Sequence, residues 1–420
     1  MSALIGFAGM THLGLNSAVA GAERGCRMLC FDPDPALIAA LRDGRMPVLE
    51  PQLDELAAKN RERLPFTADP AELAACDLVY VAPDVSTDDT GSSDLGPLEA
   101  LLAQVFDATR PAAPIVILSQ VPPGYTRAHQ RPNRTLIYQV ETLVFGRAIE
   151  RALHPERYVI GLADPSAPLP EVYRAFLAAH GDPPLLPMRY ESAELAKISI
   201  NCCLVACVTT ANMLAELCES LGADWSEIAP ALRLDRRIGA HAYLTPGLGL
   251  SGGNLERDLA TVRRLAAQHG ADSGPVDAWL ENSAHRKDWP YRTLRAAVLD
   301  AQPDARIAVL GLAYKEDTHS IKNSPALACL EHLAGADVAV YDPVVKGSVV
   351  PFARDAASAL ECVVGADVLL ILTPWAEFKT LKAEALAEAM RGRVLIDPYR
   401  CVPTARAAGF RYFTLGAADA

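Results

Sequence analysis

Short apolar runs separated by helical stretches fill the first part of the chain. Ala3 to Ala8 predicts a strand that ends at a glycine, and a helix follows from Leu13 to about Arg24. Arg27 to Phe31 predicts a second strand ending in Asp32, Leu37 to Asp43 a helix, and Asp77 to Ala82 and Ile115 to Leu118 two more buried strands. Strands alternating with helices imply a parallel sheet covered on both faces. The pattern then changes. Glu191 to Leu221 contains no proline or glycine, and Leu195, Ile198, Cys202, Val205, Val208, Met213 and Leu217 recur at helical spacing. That predicts an unusually long helix, capped by Gly222, with more helix over Asp224 to Leu234 and Leu255 to His269. The last part repeats the first. Arg306 to Leu310 predicts a strand, Gly311 punctuates it, and Pro325 to Ala334 predicts a helix. Asp337 to Tyr341 predicts a strand ending in Asp342, and Val368 to Leu372 and Val394 to Ile396 predict two others.

The expected fold class is α/β, with two doubly wound Rossmann-like domains joined by a long central helix and helical segment, and ligands between the domains. The expected bounds are 1–188, 189–290 and 291–420. Half the residues are hydrophobic and 21% are charged, a globular composition. The net charge of −12 argues against nucleic acid as a partner. A phosphate-bearing ligand stays open, because helix N-termini bind anions even on an acidic protein. Ten cysteines show no paired CxxC spacing, so they read as reduced structural thiols and no metal site is expected. The N-terminus lacks the basic segment of a signal peptide, and no uninterrupted apolar run is expected to span a bilayer. These features point to the cytoplasm.

The first turn reads Gly9-Met10-Thr11-His12-Leu13-Gly14. A dinucleotide fingerprint has glycine at the first, third and sixth places: for the tight turn, for close approach of the pyrophosphate, and for helix packing. Thr11 takes the third place. Asp32 lies 18 residues after Gly14, at the end of the second strand. An acid there accepts from the adenine ribose hydroxyls and repels a 2′-phosphate, which favours NAD over NADP. Taken alone, the same residues also suit a strand–turn–helix without a cofactor, in which Asp32 caps or faces solvent.

Five segments, in order along nearly the whole chain, carry a resemblance. They are "FDPDPALIAALRDGRMPVLEPQLDEL" (31–56), "ESAELAKISINCCLVACVTTANMLAELCESLGAD" (191–224), "DRRIGAHAYLTPGLGLSGGNLERD" (235–258), "IAVLGLAYKEDTHSIKNSPAL" (307–327) and "VYDPVV" (340–345). Together they resemble the UDP-glucose/GDP-mannose dehydrogenase family. The resemblance implies NAD-dependent oxidation of a nucleotide-linked hexose at C6. In the family two hydride transfers lead to a carboxylate, and a cysteine holds the intermediate as a thiohemiacetal.

Carried over by position, the resemblance implies that Lys197 and Asn201 stabilise developing negative charge, and that Asp258 helps a water in proton transfer. Residues four apart share one face of a helix. By themselves, Lys197 and Asn201 also read as a solvated lysine and a helix-surface amide. Glu141 resembles the first glutamate of the family's "PEFLxEG", here "VETLVFG". The resemblance also implies a cofactor site including Leu13, and a substrate site including Tyr243, Gly249, Lys315, Arg400 and Arg237, the last reaching a neighbouring subunit's site. Other places depart from the pattern. The nucleophilic cysteine falls at Asn254, the second glutamate at Phe145, and the threonine of "STVPxG" at Gln120. The threonine-proline after the third strand is replaced by Val85-Ser86, and the arginine of "RxSP" by Lys322. An asparagine amide cannot form a thiohemiacetal, though it can donate to an oxyanion.

The expected activity is therefore a single, two-electron oxidation of a nucleotide sugar at C6. The product is an aldehyde, or a ketone if the substrate is a longer-chain sugar of the kind found in antibiotic pathways. Three rivals remain open: an NAD-retaining epimerase, a non-catalytic nucleotide-sugar-binding subunit, and an ordinary four-electron 6-dehydrogenase. A homodimer or higher homo-oligomer is expected, because the long helix is apolar on more than one face.

Overall fold

The computed structural model describes residues 3–88 and 91–418. The chain forms two compact units, Met1–Ile200 and Asn201–Ala420. In the first, eight strands make one sheet: β1 Leu4–Ala8, β2 Arg27–Phe31, β3 Phe66–Thr67, β4 Leu78–Val81, β5 Ile115–Ile117, β6 Leu136–Gln139, β7 Tyr158–Leu162 and β8 Leu185–Arg189. Their order is β3-β2-β1-β4-β5-β6-β7-β8. Neighbours run parallel except β6 and β7, which are antiparallel. The chain leaves β1 to one side and returns through β4 to the other. That switch opens a crevice beyond the carboxyl ends of β1 and β4. Alternate side chains of β1 serve opposite faces: Ile5 and Phe7 join one apolar cluster, Ala8 the other. Cover on both faces explains why the Leu78–Val81 strand is buried throughout.

The second unit holds β9 Ile307–Leu310, β10 Val338–Tyr341, β11 Arg354–Asp355, β12 Val368–Ile371, β13 Val394–Ile396 and β14 Arg411–Phe413. These six are parallel, in the order β11-β10-β9-β12-β13-β14, which is the doubly wound order again.

The helix Tyr190–Leu221 runs from one unit into the other. At 32 residues it is roughly 48 Å long. By length and composition alone it is long and apolar enough to cross a membrane, although polar residues such as Glu194, Lys197, Asn201 and Asn212 interrupt its apolar run. Its polar residues behave as those of a core helix. Glu194 is buried and accepts from the backbone N–H groups of Gly124 (2.6 Å) and Thr126 (2.8 Å). Burial pushes its carboxyl up. Asn212 is buried and accepts from Gly247 N at 2.8 Å. A row of apolar side chains nevertheless stays exposed: Leu195, Met213, Leu217 and Leu221.

The expected elements are present, most ending within a residue or two of the bounds read from the pattern. The helix beginning at Pro325 stops earlier than expected, at Glu331. The strands Phe66–Thr67, Leu136–Gln139, Tyr158–Leu162, Leu185–Arg189, Arg354–Asp355 and Arg411–Phe413 went unread. Two of them have only two residues, and Leu185–Arg189 is mostly exposed and contains Pro187, as suits an edge.

Candidate active site

The turn after β1 is built on two glycines. Gly9 has φ +96°, and a Cβ there would sit 2.7 Å from Pro83 N. A Cβ on Gly14 would lie 1.9 Å from Gly9 O, so the helix His12–Glu23 packs directly onto the turn. The Thr11 side chain does not cap that helix. Its Oγ1 accepts from Asp84 N at 2.7 Å, and the Leu13 N–H donates to Asp84 Oδ2 at 3.4 Å. Asp32 accepts from Met10 N (2.7 Å) and Asp34 N (3.0 Å). A carboxylate offers about four lone-pair directions, so two stay available for ribose hydroxyls. The glycine cradle, the helix N-terminus free of a Thr11 cap and the half-used carboxylate fit a dinucleotide. Gln120 follows Ser119, whose hydroxyl donates to Pro83 O at 2.5 Å, so the loops after β4 and β5 are tied together.

Two paired sets of polar side chains stand out. Lys197 Nζ lies 2.6 Å from Glu141 Oε1, and both side chains are largely buried. Glu141 also accepts from Leu143 N at 3.0 Å, which shapes its own loop. The pair replaces the solvated lysine that the sequence left open. One helical turn further, Asn201 Nδ2 donates to Asp258 Oδ2 at 2.5 Å. Asp258 is buried and its other oxygen takes Arg257 Nε at 3.2 Å. Asn201 is buried as well, so it is no surface amide.

Asn254 is exposed and opens the helix Asn254–His269, one turn before Asp258. The loop before it requires glycine. Gly249 has φ +83° and a Cβ would lie 2.4 Å from Ser283 O. Gly252 has φ +79° and faces the Tyr314 ring. Leu250 N donates to Ser283 Oγ (2.8 Å), and the Asn323 amide donates to Gly252 O (3.0 Å) and to Glu256. Lys322 borders Gly253, and its carbonyl accepts from Gly252 N at 3.1 Å. Lys322 belongs to the second unit, whereas the other expected cofactor residues belong to the first.

The expected substrate residues are scattered. Phe145 is 44% exposed and stacks on the His12 ring, with centroids 4.1 Å apart. Arg237 holds Asp235 in two bonds (3.0 and 2.7 Å), with its side chain 90% exposed. Tyr243 is exposed too. Lys315 Nζ lies 5.9 Å from the Tyr314 ring centroid. Arg400 has φ +55°, and its guanidinium reaches Asp224 (2.9 Å) and Ser226 (3.3 Å) at the start of the helix Trp225–Leu234.

Sequence reasoning missed three groups. Arg257 is visible only as the residue before Asp258. His12 Nε2 and Glu50 Oε1 are 2.7 Å apart, and buried Glu50 also accepts from Gly146 N at 2.8 Å, tying the cofactor helix to the loop that carries Glu141 and Phe145. Asp84 has no motif signal at all. Every cysteine is unpaired. Cys202, beside Asn201, has its thiol pushed up by burial and further by the charges of Asp258 and Cys203, so it is not an activated nucleophile. Among the described residues no His, Cys, Asp and Glu cluster could hold a metal.

Comparison with known proteins identifies the family. Residues 3–177 match the NAD binding domain of the UDP-glucose/GDP-mannose dehydrogenase family, residues 191–283 its central domain, and residues 308–404 its UDP binding domain. The chain is 32% identical to UDP-glucose 6-dehydrogenase of Rhizobium meliloti (strain 1021), over 98% of this chain and 99% of that protein. It is 30% identical to UDP-glucose 6-dehydrogenase TuaD of Bacillus subtilis (strain 168), over 97% and 92%. A solved UDP-glucose dehydrogenase from the hyperthermophilic archaeon Pyrobaculum islandicum superimposes with a TM-score of 0.86 at 27% identity, covering 99% of this chain and 98% of that one. The chain belongs to the UDP-glucose/GDP-mannose dehydrogenase family and is an NAD-dependent nucleotide-sugar dehydrogenase.

Proposed function

We propose that this dehydrogenase performs one hydride transfer and releases a carbonyl product. The observation that carries the reading is the exposed Asn254 at the head of its helix, in a chain that keeps the Lys197–Glu141 and Asn201–Asp258 pairs. NAD, when bound, supplies the hydride acceptor. The alcohol loses a hydride from carbon and a proton from oxygen, so substrate and NAD+ give a carbonyl, NADH and one proton. Lys197 donates to the oxygen as negative charge builds on it, and Asn201, one turn along the helix, adds a second donor. Glu141, against Lys197, and Asp258 offer routes for the departing proton. Asn254 can hydrogen-bond the substrate oxygen but cannot add to the carbonyl carbon, so the second oxidation has no covalent route. Phe145 and Gln120, at the other altered positions, belong to the same change. If the substrate extends beyond C6, the product is a ketone and the reaction ends there.

On this reading Gly9, Thr11, Leu13, Gly14, Asp32, Gln120 and Lys322 hold the cofactor. Phe145, Arg237, Tyr243, Gly249, Lys315 and Arg400 face the nucleotide sugar. The three domains divide near 188 and 290, and the protein works in the cytoplasm as a homodimer or higher homo-oligomer. The apolar row Leu195, Met213, Leu217 and Leu221 supports self-association, and so do exposed Leu234 and Ile238. The exposed Arg237 side chain, held by Asp235, then serves a neighbour's site.

A second reading is favoured by the names of the relatives, which are UDP-glucose 6-dehydrogenases. In that case the chain completes a four-electron oxidation. The test is to incubate the protein with NAD and a panel of UDP- and GDP-sugars and identify the product by mass. A carbonyl supports the proposal, and a carboxylate supports the second reading.

A further inference from the structure

We propose that Thr11 and Asp84 form a clasp across the cradle for the NAD pyrophosphate, and that Asp84 thereby limits cofactor affinity. The inference rests on NAD binding at the first turn. β1 and β4 are neighbours, and Ala82 N donates to Ala8 O at 2.8 Å, so the turn after β1 and the loop after β4 lie side by side. The Thr11 hydroxyl, at the place where a dinucleotide turn has its middle glycine, accepts from Asp84 N at 2.7 Å. That bond fixes residue 84 next to the helix His12–Glu23. The exposed Asp84 carboxylate then takes the Leu13 N–H at 3.4 Å. The helix has no acid in its own first turn and no side-chain cap from Thr11; Glu50 lies against the His12 ring, and among the described residues Asp84 is the carboxylate that accepts from a backbone N–H of the first turn.

A pyrophosphate seeks the same N–H groups. Its arrival must push the carboxylate away, and the two anions remain neighbours afterwards. Like charges a few ångströms apart at a protein surface repel enough to weaken binding by about three- to ten-fold. The Leu13–Asp84 bond is long, so the clasp is easily opened. A carboxylate waiting to return also speeds departure of the spent dinucleotide. Thr11 is thus more than a missing glycine, because its hydroxyl recruits the charge.

Calorimetric titration with NAD, ADP-ribose and adenosine tests this, because only the first two carry the pyrophosphate. Asp84→Asn should tighten NAD and ADP-ribose by about three- to ten-fold and leave adenosine unchanged. Thr11→Val, which removes the hydroxyl acceptor, should give part of that gain, and Thr11→Ser should give none. The gains of Asp84→Asn and Thr11→Val should not add in the double variant, since both open one clasp. Unchanged or weaker NAD binding in Asp84→Asn would overturn the clasp alone, and so would an equal gain for adenosine. No NAD binding in either the native protein or Asp84→Asn would overturn the cofactor assignment as well.

Discussion

The two sheets begin alike and diverge at one carboxylate. In each, the first strand ends at a glycine with φ above +90°, Gly9 and Gly311, and the second strand ends in an aspartate, Asp32 and Asp342. Both aspartates are 8% exposed. Among the described residues Asp32 accepts two hydrogen bonds, from Met10 N and Asp34 N. Asp342 accepts five: from Leu312 N, Ala313 N and Trp375 Nε1 on one oxygen, and from Val344 N and Val345 N on the other. Equal burial therefore hides different work. Asp342 is saturated and braces its own turn, whereas Asp32 keeps acceptor capacity for a ligand. The chain after each glycine follows suit. The first turn enters a helix at His12, and the second travels through 311–324 before its helix begins at Pro325.

Lys197→Ala removes the cation held against Glu141 and should lower kcat by about two to three powers of ten while NAD affinity holds, as steady-state kinetics and titration will show. Asp342→Ala strands five donors and should cost the second unit about 4 kcal/mol in denaturant unfolding. Asp32→Ala strands only two backbone donors and should cost about 1–2 kcal/mol. Its main effect should be on selectivity, with the NAD-to-NADP preference falling by about ten-fold or more. Equal destabilisation by the two alanines would show that the bonding difference does not matter. Asn254→Ala should lower the rate by about one to two powers of ten without changing the product.

The parts of this arrangement legible in sequence are those set by periodicity and local turn chemistry. Leu78–Val81 and Val368–Ile371 are apolar runs buried on both faces, and Gly9, Asp32, Gly311 and Asp342 punctuate the turns after β1, β2, β9 and β10. The i, i+4 spacing placed Lys197 and Asn201 on one face of the helix. It could not show that Lys197 meets Glu141, 56 residues earlier, or that Asn201 meets Asp258, 57 residues later. Asp84 and Glu50 were silent for the same reason: their partners Thr11, Leu13, His12 and Gly146 are distant in sequence and meet only when the strands and loops are assembled. The antiparallel direction of β7 was not legible, because a buried strand looks the same in either direction.

The central claim is that the reaction ends after one hydride. The direct measurement is NADH formed per sugar consumed by the unmodified protein, followed at 340 nm with the product weighed by mass spectrometry (about 340 nm being the absorption of the reduced nicotinamide). The account predicts one NADH per sugar and a product about two mass units lighter than the substrate. Two NADH per sugar and a carboxylate product would contradict it, and would mean that a nucleophile other than residue 254 completes the oxidation.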